Sequence, residues 1–157
     1  LIPYIKSGEA LEYDAFLGSR FEKKSKLINY SKFRIFGNHV FNTFLSAVLR
    51  KRITDLGAGL NMYKVDFLKS GFYMYFINSL TFYVYFLIYI IHSNAKFKFF
   101  PLSWREDDQV SNAKFVKQSK EIIRITFGYI LHKNTTFSMD ENEYSKIGYT
   151  SEVVYEQ

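Results

Sequence analysis

The sequence predicts an α/β layer fold, and three observations carry that prediction. Apolar residues recur at three- and four-residue spacing in long stretches and at alternate positions in short ones, Gly-containing turns separate the two kinds, and the kinds alternate along the chain. The order read is helix, strand, helix, strand, helix, strand, helix, the pattern of sheet covered by helices. With 157 residues the chain can bury one substantial core but not two ordinary ones. We therefore expect one folded unit over residues 1–134 and an acidic, Tyr-containing tail over 135–157.

Pro3 suits a first helical turn, and a short helix is expected to run to Ala10. Glu12 to Leu17 reads as a strand closed by Gly18-Ser19-Arg20. From Ser31 to Arg50, Phe33, Phe36, Val40, Phe41, Phe44, Leu45, Val48 and Leu49 recur at the helical period, with Ser31 as N-cap. Gly57 and Gly59 break that helix's continuation and open a strand from Leu60 to Val65. Asp66 caps a single turn that Gly71 ends. A polar hinge at Asn78-Ser79 precedes a helix to about Ile91, Lys96 to Leu102 is the next strand, and Ser111 caps a last helix reaching Leu131.

The stretch from Phe72 to Ile91 holds 20 residues without a charge, long enough to span a bilayer. Asn78, Ser79 and Thr81 near its middle and Tyr distributed throughout favour a buried or interfacial helix instead, because spanning helices keep Tyr at their ends.

Composition narrows the partners. Aromatic residues make up 20% of the chain and the net charge is +6. Residues 1–134 hold 20 of the 21 Lys and Arg against 10 of the 15 acids, so the body is basic and the tail acidic. A basic body attracts phosphates, whether of nucleotide sugars, lipids or nucleic acid. The absence of Cys excludes disulfides, thiolate zinc sites and thiol nucleophiles. His39, His92 and His132 are too scattered and too short of acidic companions for a metal site, and none is expected in this chain. No Gly-rich phosphate loop or nucleophile elbow is present. The N-terminus carries no signal-peptide pattern, and its lack of Met suggests a chain cut from something longer.

Four segments carry a resemblance. They are Gly18-Ser19-Arg20 after a strand; Arg34, Asn38 and Asn42 at four-residue intervals; Ile53-Thr54-Asp55-Leu56-Gly57-Ala58-Gly59-Leu60; and Pro101-Leu102-Ser103-Trp104-Arg105 followed by Gln109, Ser111 and Lys114. In order and spacing the set resembles the acceptor half of family 2 glycosyltransferases over roughly residues 1 to 120. The similarity is closest to those that load sugars onto dolichyl or polyprenyl phosphates.

The resemblance implies the C-terminal half of a GT-A (Rossmann-like) domain, a mixed sheet with flanking helices. It implies inverting transfer from a nucleotide sugar to a polyprenyl phosphate or, alternatively, to a saccharide hydroxyl in envelope polysaccharide or glycan synthesis. The donor half, with the Asp-x-Asp that holds a divalent metal (Mg or Mn), would lie upstream, so this chain alone should be inactive. Cytoplasmic placement, peripheral to the inner face of the membrane, follows from the same resemblance.

The resemblance also distributes roles. Asp55 orients or deprotonates the acceptor; an Asp before a Gly-rich turn is also an ordinary turn former. Arg20, Arg34, Arg105, Ser111 and Lys114 bind the acceptor or its phosphate, Arg by a planar fork and Lys as a mobile charge. Two departures stand out: Asn61 replaces the family's usual Arg, and the family's adjacent Ser-Lys pair is split here into Ser111 and Lys114. Asn42 is read as satisfying loop backbone groups and Trp104 as core. The helix from Ser111 to Leu131, with Lys114, Lys117, Lys120 and Arg124 on one side, covers the core or lies against anionic headgroups. A reading from another class is a non-catalytic basic aromatic module binding membrane or nucleic acid; with no nucleic-acid motif in sight, nucleic acid is not expected.

Overall fold

The computed structural model describes residues 1–69, 71–75, 81–106 and 112–132. It is mixed α/β, with a mixed sheet and flanking helices. The elements are α1 (Ile2–Lys6), β1 (Ala15–Ser19), β2 (Leu27–Ile28), α2 (Lys32–Leu49), β3 (Asn61–Tyr63), α3 (Val65–Leu68), α4 (Phe82–His92), β4 (Phe97–Pro101), β5 (Trp104–Arg105) and α5 (Asn112–Leu131). Two 3₁₀ turns, Glu9–Glu12 and Phe72–Tyr75, join them.

β1 is the centre of a three-stranded sheet. β3 runs antiparallel to it, with Phe16 opposite Met62, and β4 runs parallel, with Leu17 opposite Phe99. All five β1 residues are buried, as expected of a strand covered on both faces. Ala15 and Leu17 point into the main core with Leu45 and Leu49 of α2, Val84, Phe86, Leu87, Ile88 and Ile90 of α4, and Ile122, Ile125 and Tyr129 of α5. On the other face Phe16 stacks on Phe100, ring centroids 4.8 Å apart, under Tyr4 and Tyr13. The aromatic surplus in the sequence is spent here and around Phe72, whose ring stacks on Tyr89 at 3.7 Å.

The long helices and the three sheet strands follow the sequence pattern, and the differences have local causes. The N-terminal helix stops at Lys6, because Gly8 takes a left-handed conformation (φ 79°) and starts a 3₁₀ turn that occupies Glu9–Glu12. The strand expected at Glu12–Leu17 therefore begins at Ala15. It continues through Gly18 and Ser19, where pairing with β4 holds it. Trp104 is not core: it is 46% exposed on β5, which pairs parallel with β2 in a separate two-stranded sheet. On α2 the Asn42, Leu45 and Leu49 face is buried, whereas Phe33, Phe36 and Val40 are exposed.

α4 spans 11 residues, and among the described residues no helix is long and apolar enough to cross a membrane. The Asn78-Ser79 hinge, the Ser111 cap and the 135–157 tail lie outside the described residues.

Candidate functional site

Arg20 and Asp55 are 35 positions apart in sequence and are brought together by three devices. The first is Gly18. A Cβ there would sit 2.6 Å from the Leu60 carbonyl oxygen, a distance no side chain tolerates. Without one, Gly18 N donates to Leu60 O at 3.0 Å and to Asn61 Oδ1 at 3.1 Å, drawing the end of β1 against the start of β3. Asn61, which stands where the resemblance expects Arg, thus serves backbone, its Nδ2 donating to Ala58 O at 3.1 Å.

The second device is Asn42. Its Nδ2 donates to Thr54 O at 2.7 Å and its Oδ1 accepts from Leu56 N at 3.0 Å, so the amide clasps the loop on both sides of Asp55. This is the backbone-satisfying role expected for Asn42. Ser46, one turn on, holds Ile53 N at 2.9 Å in the same way. The third device is the Asp55 turn itself, closed by Gly57 N donating to Asp55 Oδ1 at 2.9 Å.

The Asp55 carboxylate then accepts the Arg20 fork. Arg20 Nε donates to Oδ2 and Nη2 to Oδ1, each at 2.8 Å, while the Arg20 backbone N–H donates to Oδ2 at 2.8 Å. The Asp55 side chain is 0% exposed and that of Arg20 12%. Burial acts to lower the Arg20 pKa, but the hydrogen bonds and charge of Asp55 overcome it and hold the guanidinium above its ordinary value. A carboxylate accepting from Arg20 twice by side chain and once by backbone, and from Gly57 besides, is a positioned anchor.

From Arg20 the polar chain continues outward. Nη1 donates to the Tyr30 hydroxyl at 3.1 Å, and Asn38 Nδ2 donates to the same oxygen at 3.2 Å and to Arg34 O at 2.7 Å. The Arg20 guanidinium also lies 5.5 Å from the Tyr30 ring centre. Arg34 Nη1 pairs with Glu106 Oε1. Glu106 immediately follows Arg105, and Glu106 N donates to Ile28 O at 3.1 Å. The α2 start, β2 and β5 are thereby fastened to one another beside the Arg20–Asp55 pair.

Of the residues the sequence singled out, Arg20, Asp55 and Arg34 are joined by this chain, and the backbone of Arg105 is attached through Glu106. The Arg105 side chain is exposed. Ser111 lies outside the described residues, as does the side chain of Lys114. Sequence reasoning missed Tyr30 and Glu106. Glu106 carried a weak signal as the counter-charge beside Arg105; Tyr30 carried none.

On the inner side of Asp55 a cavity of about 20 Å³ is lined by Leu17, Asp55, Ala58, Asn61, Tyr63 and Tyr83, among others, room for about one water. Burial pushes the Tyr63 hydroxyl up to about 12, hydrogen bonding with Asn61 acting the other way. Burial also raises Tyr83, against the opposing charge of Arg20. Both remain protonated and neutral at physiological pH.

No group of three or more acidic or His side chains among the described residues could hold a metal ion. Comparison with protein-family models, with curated proteins and with solved structures finds no match to this chain.

Proposed function

We propose that this chain is the acceptor-side half of a family 2 glycosyltransferase of GT-A fold. The intact enzyme would be an inverting one that moves a sugar from a nucleotide-sugar donor to a polyprenyl phosphate at the cytoplasmic face of a membrane. The observation that carries the reading is the buried Arg20–Asp55 pair. It fastens the Gly18-Ser19-Arg20 segment at the end of β1 to the Asp55-Leu56-Gly57 turn, two of the segments on which the resemblance rests.

The pair favours a phosphate acceptor over a hydroxyl. A phosphate monoester is already ionised at neutral pH, so its oxygen can attack the anomeric carbon as the bond to the nucleotide diphosphate breaks, without a general base. A sugar hydroxyl would need one, and Asp55 is engaged with Arg20 and Gly57. On this reading Asp55 orients Arg20. Each Nη of Arg20 keeps one N–H beyond those given to Tyr30 and Asp55. These donors, with Arg34, Arg105, Ser111 and Lys114, would receive the phosphate.

A divalent metal, Mg or Mn, would neutralise the departing diphosphate. The described residues offer no site for it, since Asp55 has spent its oxygens on Arg20 and Gly57; the resemblance places its ligands upstream. Membrane proximity draws support from α5, where Ile123, Phe127 and Ile130 are exposed along with Lys117, Lys120 and Arg124.

The test joins this chain to the donor-binding half of a family 2 transferase and follows transfer from a nucleotide sugar. Transfer to polyprenyl phosphate, absent with this chain alone, is expected. Transfer to saccharide hydroxyls but not to the lipid phosphate would replace this acceptor with the alternative one.

A further inference from the structure

The hydrogen bonds around Tyr30 determine where its hydroxyl proton can go. Arg20 Nη1 and Asn38 Nδ2 both approach the phenol oxygen, at 3.1 and 3.2 Å. Arg has no acceptor to offer. Nor can the Asn38 amide be reversed, because its Nδ2 also lies 2.7 Å from the Arg34 carbonyl oxygen, which only a donor can face. Tyr30 is therefore the acceptor in both contacts, and its own proton points in a third direction. No further hydrogen-bond partner of that hydroxyl is found among the described residues, and Tyr30 is only half-buried.

We propose that Tyr30 is a binding residue for a phosphate oxygen, to which it donates its hydroxyl proton beside the spare N–H of Arg20 Nη1. The inference deepens the acceptor reading above and rests on it. A cationic donor on the phenol oxygen polarises the O–H and strengthens it as a donor. A phosphate oxygen is the matching partner, being charged and acceptor-only. The framework is rigid beforehand, since Asp55 fixes Arg20 from behind and Asn38 fixes Tyr30 from the helix. Two sources share this chemistry, the monophosphate of a prenyl lipid and the diphosphate of a nucleotide.

The test is calorimetric titration of the whole chain with geranyl phosphate and, separately, with a nucleoside diphosphate. The proteins are the wild type, Tyr30→Phe and Asn38→Leu. Loss of one charge-assisted hydrogen bond lowers affinity about tenfold. Tyr30→Phe is expected to show that loss for at least one ligand, and whichever ligand it is identifies the source. Asn38→Leu removes a support of Tyr30 but leaves the Tyr30 proton, so its loss of affinity is expected to be clearly smaller than that of Tyr30→Phe.

Equal binding of both ligands by Tyr30→Phe and wild type would overturn the inference and leave the acceptor reading standing. Absence of any binding to wild type would overturn both. Equal losses in the two variants would assign the effect to the chain rather than the proton, which also overturns it. An independent arm needs no variant to fold. In wild-type protein labelled with ¹³C at tyrosine Cζ, the Tyr30 signal should move on saturation with the ligand, and a stationary signal would sink the proposal.

Discussion

Asp55 is costly to uncharge, because its carboxylate answers a guanidinium fork and two backbone amides at once. Asp55→Asn keeps the shape but leaves Arg20, 12% exposed, without its counter-charge and turns an amide N–H toward an Arg N–H. Breaking one side of a buried pair costs roughly 3–5 kcal/mol, which urea unfolding would read as a large drop in midpoint. Replacing both partners, Arg20→Met with Asp55→Asn, should recover part of that loss, since the orphaned charge is gone and the Asn oxygen still accepts from Gly57 N. A loss below about 0.5 kcal/mol for Asp55→Asn would mean the pair is not held as described. The sequence named both residues but not their partnership. The Asp55 turn was visible through Gly57, whereas a contact across 35 positions leaves no local trace, and Tyr30 had no periodic or motif context at all.

Helices and strands were legible where burial imposes a period, and illegible where backbone alone makes the element. α2, α4 and α5 each bury an apolar face in the core, so their spacing announced them. β2 and β5 are two residues each, too short to have a period; main-chain pairing joins them, and the Arg34–Glu106 contact ties the end of β5 to α2. The end of β1 was misread for a related reason. Gly18 looked like a turn residue, but it is required inside the strand by the Leu60 carbonyl. Gly18→Ala should therefore push β1 and β3 apart and cost about 1–3 kcal/mol in urea unfolding; a neutral substitution would contradict the 2.6 Å approach.

Arg105 gives the opposite expectation at the same scale. Exposed on β5, its replacement by Ala should leave stability within about 0.5 kcal/mol. In an enzyme restored with a donor half, the same change should lower kcat/KM roughly ten- to a hundredfold, the worth of one charge-assisted contact. Arg105→Lys should recover only part, keeping charge but not the fork. Wild-type kcat/KM in the Ala variant would make the loop purely structural.

Across the whole molecule, a core built from aromatic rings has buried several Tyr hydroxyls, and this sets an alkaline limit on stability. Burial pushes Tyr63 up to about 12 from an ordinary 10.0, and raises Tyr83, Tyr85 and Tyr129 as well. The folded state thus holds the proton more tightly than the unfolded chain. Its contribution is complete below pH 10 and falls as pH rises through 12, by roughly 2–3 kcal/mol for Tyr63 alone. Urea midpoints taken from pH 8 to 11.5 should decline above pH 10, and Tyr63→Phe should flatten part of the decline. A midpoint independent of pH across that range would place these hydroxyls in water.

The account as a whole stands on a phosphate being received where Arg20, held by Asp55, meets Tyr30 and the Arg34–Glu106 contact. The most direct measurement is equilibrium binding of a short polyprenyl phosphate and of the matched uncharged polyprenol to this chain, at low and at raised salt. The account predicts saturable binding of the phosphate alone, weakened by salt as partly exposed cations are screened and abolished by Arg20→Met with Asp55→Asn, the pair of changes that removes both charges while leaving an amide oxygen to accept from Gly57 N and close the turn. Equal binding of the two lipids, or binding of the phosphate that survives the loss of Arg20, would contradict it.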